Sequence, residues 1–288
     1  MKNSIEENNR RVLTLLSDFL NNHENYINTN LINKITQVGV SDKQAFILLL
    51  SSFYNLDDED DLLIYYFPYM INELNENDYY CNEYYKNIGL TKKRKKIKNW
   101  EITTSTYKAY EAFVCNDFIY MEDKRIIPQI GYFKKPFRFL SVYENKRLWM
   151  SITPNEIETM KKPIELSRGI VCTIGLGLGY FTYMCSLKEN VKKVIVIEID
   201  KNIINLFKNT ILPDFSFEQK NKIEIINADA FTFLDNDMDH LSIDYLFTDI
   251  WHDVSDGKDL YKRIKEYESK YNSVKFMYWI ENTIKYYL

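Results

Sequence analysis

Two short segments concentrate the residue types that can do chemistry. Residues 175–179 read Gly-Leu-Gly-Leu-Gly, and residues 249–253 read Asp-Ile-Trp-His-Asp. The first holds three of the chain's 8 glycines, while Gly39, Gly89, Gly131, Gly169 and Gly257 stand alone. Glycines so spaced let a backbone turn sharply and approach a ligand over the start of the next helix. The second puts two carboxylates, an imidazole and an indole within five residues. An imidazole titrates near about 6.5, so a neighbouring carboxylate can orient it as a base at neutral pH, while an indole face attracts a cation or a planar group. Asp249 and His252 are therefore the catalytic candidates, and Trp251 and Asp253 the candidates for touching an acceptor. Glu198 stands twenty-one residues beyond Gly177, where a carboxylate can accept both hydroxyls of a ribose. Asp229 can accept an exocyclic amine of adenine while the small Ala230 leaves room for the ring. Asp200 and Asp229 also suit helix N-caps.

These candidates need elements that bring them together. Strand-like runs occur at 170–174, 194–197, 223–226, 245–247 and 274–278, with helix-like segments between the first three and between the last two. That alternation predicts an α/β fold, a doubly wound, Rossmann-like parallel sheet, which binds ligands at the carboxyl ends of its strands. Each candidate lies just past a strand. The third position of a GxGxxG dinucleotide fingerprint is Tyr180, which turns the glycine loop away from NAD.

The rest of the chain reads as a smaller module. Val12, Leu15, Leu16, Phe19 and Leu20 recur on one helix face, Ser41 with Gln44 forms a capping box, and the acids of 57–61 open a further helix toward Pro68. Residues 1–99 are thus expected to be helical. Residues 100–153 are expected to form a small β-containing element, with a hairpin turning at Glu144-Asn145. Pro154, Asn155 and Glu156 then start a helix that leads into the main domain, 154–288.

The phrases CTIGLGLGYF (172–181), VIVIEID (194–200), IEIINADAFTFL (223–234) and DYLFTDIWHD (244–253) give residues 154–288 a resemblance to class I S-adenosylmethionine-dependent methyltransferases, more narrowly the spermidine-synthase-like branch. The resemblance implies a methyltransferase-type fold with S-adenosylmethionine as cofactor. Gly175, Gly177 and Gly179 would pack against its methionine portion, Glu198 hold the ribose, Asp229 with Ala230 read the adenine, and Asp249 line the junction with the acceptor. Leu178 replaces an Asp of the aminopropyl transferases, and Asp249-Ile-Trp-His252 replaces their DSSD-like run, which favours methyl over aminopropyl transfer. Aminopropyl transfer from decarboxylated S-adenosylmethionine is the alternative, followed by a non-catalytic adenosyl-binding module. The fold's usual final antiparallel hairpin is expected to be missing or supplied by the N-terminal part.

Bulk properties narrow the partners. With 45% hydrophobic and 15% aromatic residues in 288, the chain can bury a large core, so a disordered reading is excluded. A net charge of -4 gives no global field toward nucleic acid or an anionic membrane. The basic run Lys92 to Lys98, with Trp100 behind it, is the one place that could track RNA; a solvated loop is the favoured reading. A small-molecule acceptor is the expected partner, and a homodimer is allowed. The start lacks the apolar stretch of a secretory signal and no run reaches membrane-span length, so a cytoplasmic location is expected. Cys81, Cys115, Cys172 and Cys185 have no CxxC pairing and read as reduced, buried thiols, and neither they nor the three histidines suggest a metal site.

Overall fold

The computed structural model describes residues 3–90 and 95–288. Its strands are β1 (Ile71–Leu74), β2 (Lys95–Ile97), β3 (Trp100–Tyr107), β4 (Phe113–Tyr120), β5 (Ile126–Phe133), β6 (Phe137–Glu144), β7 (Arg147–Ser151), β8 (Gly169–Ile174), β9 (Val191–Glu198), β10 (Ile223–Asn227), β11 (Tyr245–Thr248) and β12 (Lys275–Tyr278). Contacts divide the chain into one unit of residues 1–79 and 106–138 and another of 80–105 and 139–288. These cuts fall elsewhere than 99/100 and 153/154, because the polypeptide leaves the first unit at Tyr79 and returns to it at Thr106.

In the first unit the expected helices form. Val12, Leu15, Leu16 and Phe19 are buried along the helix Ile5–Asn22, and Ser41 and Gln44 close a reciprocal capping box at the helix Asp42–Phe53. The segment is not wholly helical, however. β1 pairs in parallel with β5, which pairs antiparallel with β4, giving the order β1-β5-β4. Four residues are too few to show a period of two, and the partner lies more than fifty residues away. Pro128 is tolerated inside β5 because β1 pairs only from Ile130 onward and the β4 register shifts around Asn116.

The second unit contains two sheets. β2-β3-β6-β7 includes the expected hairpin, whose turn is Asn145-Lys146, both at positive φ (49° and 69°), one residue later than the sequence indicated. The other sheet is five-stranded, parallel and ordered β10-β9-β8-β11-β12. This is the doubly wound order of a Rossmann-like, methyltransferase-type fold. The chain runs outward from β8 through β9 to β10, then restarts on the other side with β11. Strand order reverses between β8 and β11, and their carboxyl ends open a crevice there. Two helices escaped the sequence reading: Ala230–Asn236 and Glu281–Tyr286 are seven and six residues long, too short to show periodicity. No helix among the described residues is long and apolar enough to cross a membrane. Cys115, Cys172 and Cys185 are buried, but Cys81 is exposed, contrary to expectation.

Candidate functional site

A cavity of about 550 Å³ opens at this crevice. Its floor is Gly175, Leu176 and Gly177 after β8, Glu198 to Asp200 at the end of β9, and Asp249 to His252 after β11. Trp279 after β12, Glu156 in the first turn of the helix Pro154–Leu166, Trp100 and the β7 strand complete the wall. All four tryptophans of the chain, Trp100, Trp149, Trp251 and Trp279, line it. Trp100 is only 2% exposed and donates through Nε1 to Asp200 at 3.2 Å, so its indole is a cavity wall and not the surface stacking platform the basic run suggested. Of that run, Lys92, Lys93 and Arg94 lie outside the described residues, and Lys95 donates to the Asn209 carbonyl at 3.2 Å.

Sequence dictates the glycine loop by sterics. Gly175 sits at φ +102°, and a Cβ there would overlap the backbone oxygen of Asp249; one on Gly177, at φ +50°, would overlap the Met150 thioether. The backbone thus passes flush under the cavity. Gly179, at φ +73°, starts the helix Tyr180–Leu187 against Phe207 and is not among the described lining residues. The loop is braced from behind: Tyr84 Oη donates to the Leu178 carbonyl at 2.6 Å, and Asn82 donates to Tyr180 Oη at 2.9 Å. Leu178 is 1% exposed and packs inward, so its exchange for an acid alters the core and not the charge on the wall.

Glu198 links this cavity to a smaller one. One of its oxygens accepts from Leu176 N at 3.1 Å and the other from Asp200 N at 2.9 Å. Burial pushes its carboxyl above the usual range while those amides pull it back. The second cavity, about 200 Å³, shares Gly175, Glu198, Ile199 and Ile250 with the first and adds Ala228, Asp229, Ala230, Phe231 and Leu260. Asp229 and Ala230 therefore line a slot beyond Glu198. Asp229 also caps the helix Ala230–Asn236, its Oδ1 accepting from Phe231 N and Thr232 N. Asp253 is not brought in: it caps the helix Val254–Lys270 by accepting from Ser255 N at 2.6 Å and is absent from the described lining.

Asp249 is placed by β11, its amide donating to the Ile174 carbonyl at 2.9 Å across the strand reversal. Burial pushes its carboxyl up to about 7. On the same cavity wall is an acid that sequence reasoning missed. Glu156 is 9% exposed, its Oε2 is sealed with no hydrogen-bond partner, and burial together with the Asp249 charge pushes it well above the carboxylate range. A Glu in the first turn of a helix ordinarily serves the helix dipole, which hid it. Trp251 Nε1 is likewise buried and without a partner. His252 is oriented by Asp256, also missed. Its Nδ1 lies 3.1 Å from Asp256 Oδ2, leaving Nε2 uncommitted at the cavity rim. The described lining holds five carboxylates, those of Glu144, Glu156, Glu198, Asp200 and Asp249, against a single guanidinium, Arg147.

Residues 171–275 match the spermine/spermidine synthase domain family. The matched domain spans β8 through the start of β12 and carries every strand-end acid of the site, but not Glu156 or the hairpin. Structures of similar form include the methyltransferase domain of bacterial CtHen1-CN, 12% identical with a TM-score of 0.25, covering 31% of this chain and 44% of that one. A protein from Klebsiella pneumoniae described as an O-methyltransferase is 14% identical with a TM-score of 0.27, covering 35% and 43%. The chain thus spans less than half the length of each. No curated protein sequence matches it. The fold assignment rests on the strand order and the spermine/spermidine synthase domain match.

Proposed function

We propose that this chain is a transferase that uses S-adenosylmethionine and moves its methyl group to a small basic acceptor. The observation that carries the reading is the pair of adjacent cavities with Glu198 lining both and two carboxyls, the buried Glu156 and the half-buried Asp249, on the wall of the larger. The flush glycine loop and the orphaned Glu156 and Trp251 atoms fit a bound group there. Glu198 would hold the ribose, Asp229 and Ala230 the adenine, and Gly175 and Gly177 the methionine portion. When bound, S-adenosylmethionine supplies a methyl already activated on a sulfonium. The protein then contributes alignment and exclusion of water. The tryptophans close off the cavity, Trp251 lines the acceptor side, and Asp249 or His252 takes a proton if the acceptor must lose one.

Aminopropyl transfer from decarboxylated S-adenosylmethionine stands second, favoured by the family match and by the scarcity of cations at the wall to meet a carboxylate. Calorimetry with S-adenosylmethionine, its decarboxylated form and NAD separates the readings. Tighter binding of S-adenosylmethionine is expected; preference for the decarboxylated form favours the second reading, and no binding of either adenosyl ligand sinks both.

A further inference from the structure

The pairing of β7 with β6 is irregular where it borders the cavity. Glu144 opposes Arg147 and Tyr143 opposes Leu148, but Val142 then opposes Met150, so Trp149 has no counterpart and forms a β-bulge. A bulge re-aims a side chain and recurs beside binding sites. Here two successive residues, Trp149 and Met150, both line the cavity. Trp149 goes to His252, whose ring it meets edge-on. Met150 goes to the glycine loop: a Cβ on Gly177 would overlap its Sδ and lie 2.8 Å from its Cε, so the end of this side chain rests directly on the Gly177 backbone.

The two glycines of the cavity floor are therefore covered in different ways. Gly175 faces the backbone oxygen of Asp249, which belongs to the sheet, whereas Gly177 faces the tip of an unbranched side chain with three rotatable bonds. The first cover is fixed and the second can swing aside. Met150 is half-buried, and β7 is the outer strand of its sheet, paired only with β6. Both features leave room for that movement.

We propose that Met150 is a specificity-determining residue of the donor site, a built-in competitor for the place over Gly177. The proposal rests on the transferase reading, in which the methionine portion of the donor packs on Gly175 and Gly177. A ligand carrying that portion must displace the thioether, whereas one that ends at the ribose need not. The smaller cavity, with Glu198, Asp229 and Ala230, has no β7 residue in its described lining, so the purine end enters without disturbing Met150. Apparent affinity falls with the fraction of molecules whose site is open, and removing the competitor restores it. Only a donor whose methionine portion gains more than the displacement costs is retained, which is selection by an unfavourable contact. β7 precedes the matched residues 171–275, so this element lies outside the part of the chain that the family match covers.

The test is calorimetry of the full chain with S-adenosylmethionine and with adenosine, on the parent, Met150→Ala and Met150→Leu. Met150→Ala is expected to tighten S-adenosylmethionine by about five-fold or more and to leave adenosine within about two-fold. Met150→Leu, of similar volume, keeps the cover and gives no such gain. The second arm is NMR of the parent chain with labelled methionine methyls, that of Met150 being assigned among the 8 methionines by its loss in Met150→Ala. A nuclear Overhauser contact between the Met150 methyl and the Gly177 α-protons is expected without ligand, retained with adenosine and lost with S-adenosylmethionine. Its absence from the ligand-free chain, or its survival at saturating S-adenosylmethionine, overturns the proposal. S-adenosylmethionine binding that Met150→Ala weakens or leaves unchanged, or a gain shared equally by adenosine, overturns it and keeps the transferase reading. No adenosyl binding by any of the three chains overturns both.

Discussion

His252 is fixed from two sides: its Nδ1 lies 3.1 Å from Asp256 Oδ2, and its ring meets Trp149 edge-on with centroids 4.2 Å apart and planes at 86°. Asp256 reaches it because the helix Val254–Lys270 begins with a capping box, in which Asp256 accepts from the amides of Asp253 and His252. The cap and the orientation of a candidate base are one construction.

That construction has a pH signature. Burial pushes the Asp256 carboxyl up, but the His252 ring and the two amides outweigh it and hold it below the usual range. A depressed carboxylate contributes stability above its unfolded pKa, near about 4, and loses it as pH falls through the folded value. Asp256→Asn keeps an acceptor for the cap and removes the charge. The variant is expected to melt below the parent at pH 7 and to converge with it near pH 3. Parallel melting curves across that range would show the charge contributes nothing.

The glycine loop predicts a graded response. A Cβ on Gly175 meets a backbone carbonyl, which cannot move without breaking the β8 and β11 strand ends apart. One on Gly177 meets the flexible end of Met150. Gly175→Ala should therefore destabilise the fold by more than the roughly 1–3 kcal/mol of a strained backbone alone, and Gly177→Ala by less. Gly177→Val, branched and at positive φ, is expected to fold while abolishing S-adenosylmethionine binding in calorimetry. Equal destabilisation by the two alanines would contradict the assigned contacts.

How much of this was legible beforehand depends on the range of the interactions. The five parallel strands, the loop of Gly175 to Gly179 and the positions of Glu198, Asp229 and Asp249 come from local patterns, and a strand-end rule gathers them. Glu156, Asp256 and the four-tryptophan wall were not legible. Their membership depends on the helix before β8, a cap four residues past His252 and a hairpin folding over the sheet, none of which leaves a local period. Leu178 misled in the opposite direction: its position in the motif is right, but its side chain packs inward, so the departure says little about the charge of the wall.

Glu156 yields a prediction about stability that runs against function. A carboxyl whose folded pKa is raised binds protons more tightly in the folded state, so stability is lost as pH rises from the unfolded value, near about 4, toward the folded one. Glu156→Leu removes that cost and the unsatisfied Oε2 together. Thermal melts of the ligand-free chain should show the variant more stable at pH 7 by on the order of 1 kcal/mol, with the gain shrinking toward pH 4. A loss of stability at pH 7 would mean that Glu156 is held by the fold and not kept for the site.

The four tryptophans make the cavity its own reporter. Because Trp100, Trp149, Trp251 and Trp279 all line it, intrinsic tryptophan fluorescence carries no background from elsewhere in the chain. Trp149 is 43% exposed while the others are buried, so it should dominate the solvent-sensitive part of the spectrum. A ligand that fills the cavity is expected to shift the emission to shorter wavelength by removing water from Trp149. Trp149→Phe should abolish most of that shift without removing binding in calorimetry, since the ribose and purine positions lie with Glu198 and Asp229, away from β7. Gly177→Val should abolish both. A calorimetric signal from S-adenosylmethionine with an unchanged spectrum would mean that the ligand binds outside this cavity, because no filling of it leaves all four indoles undisturbed.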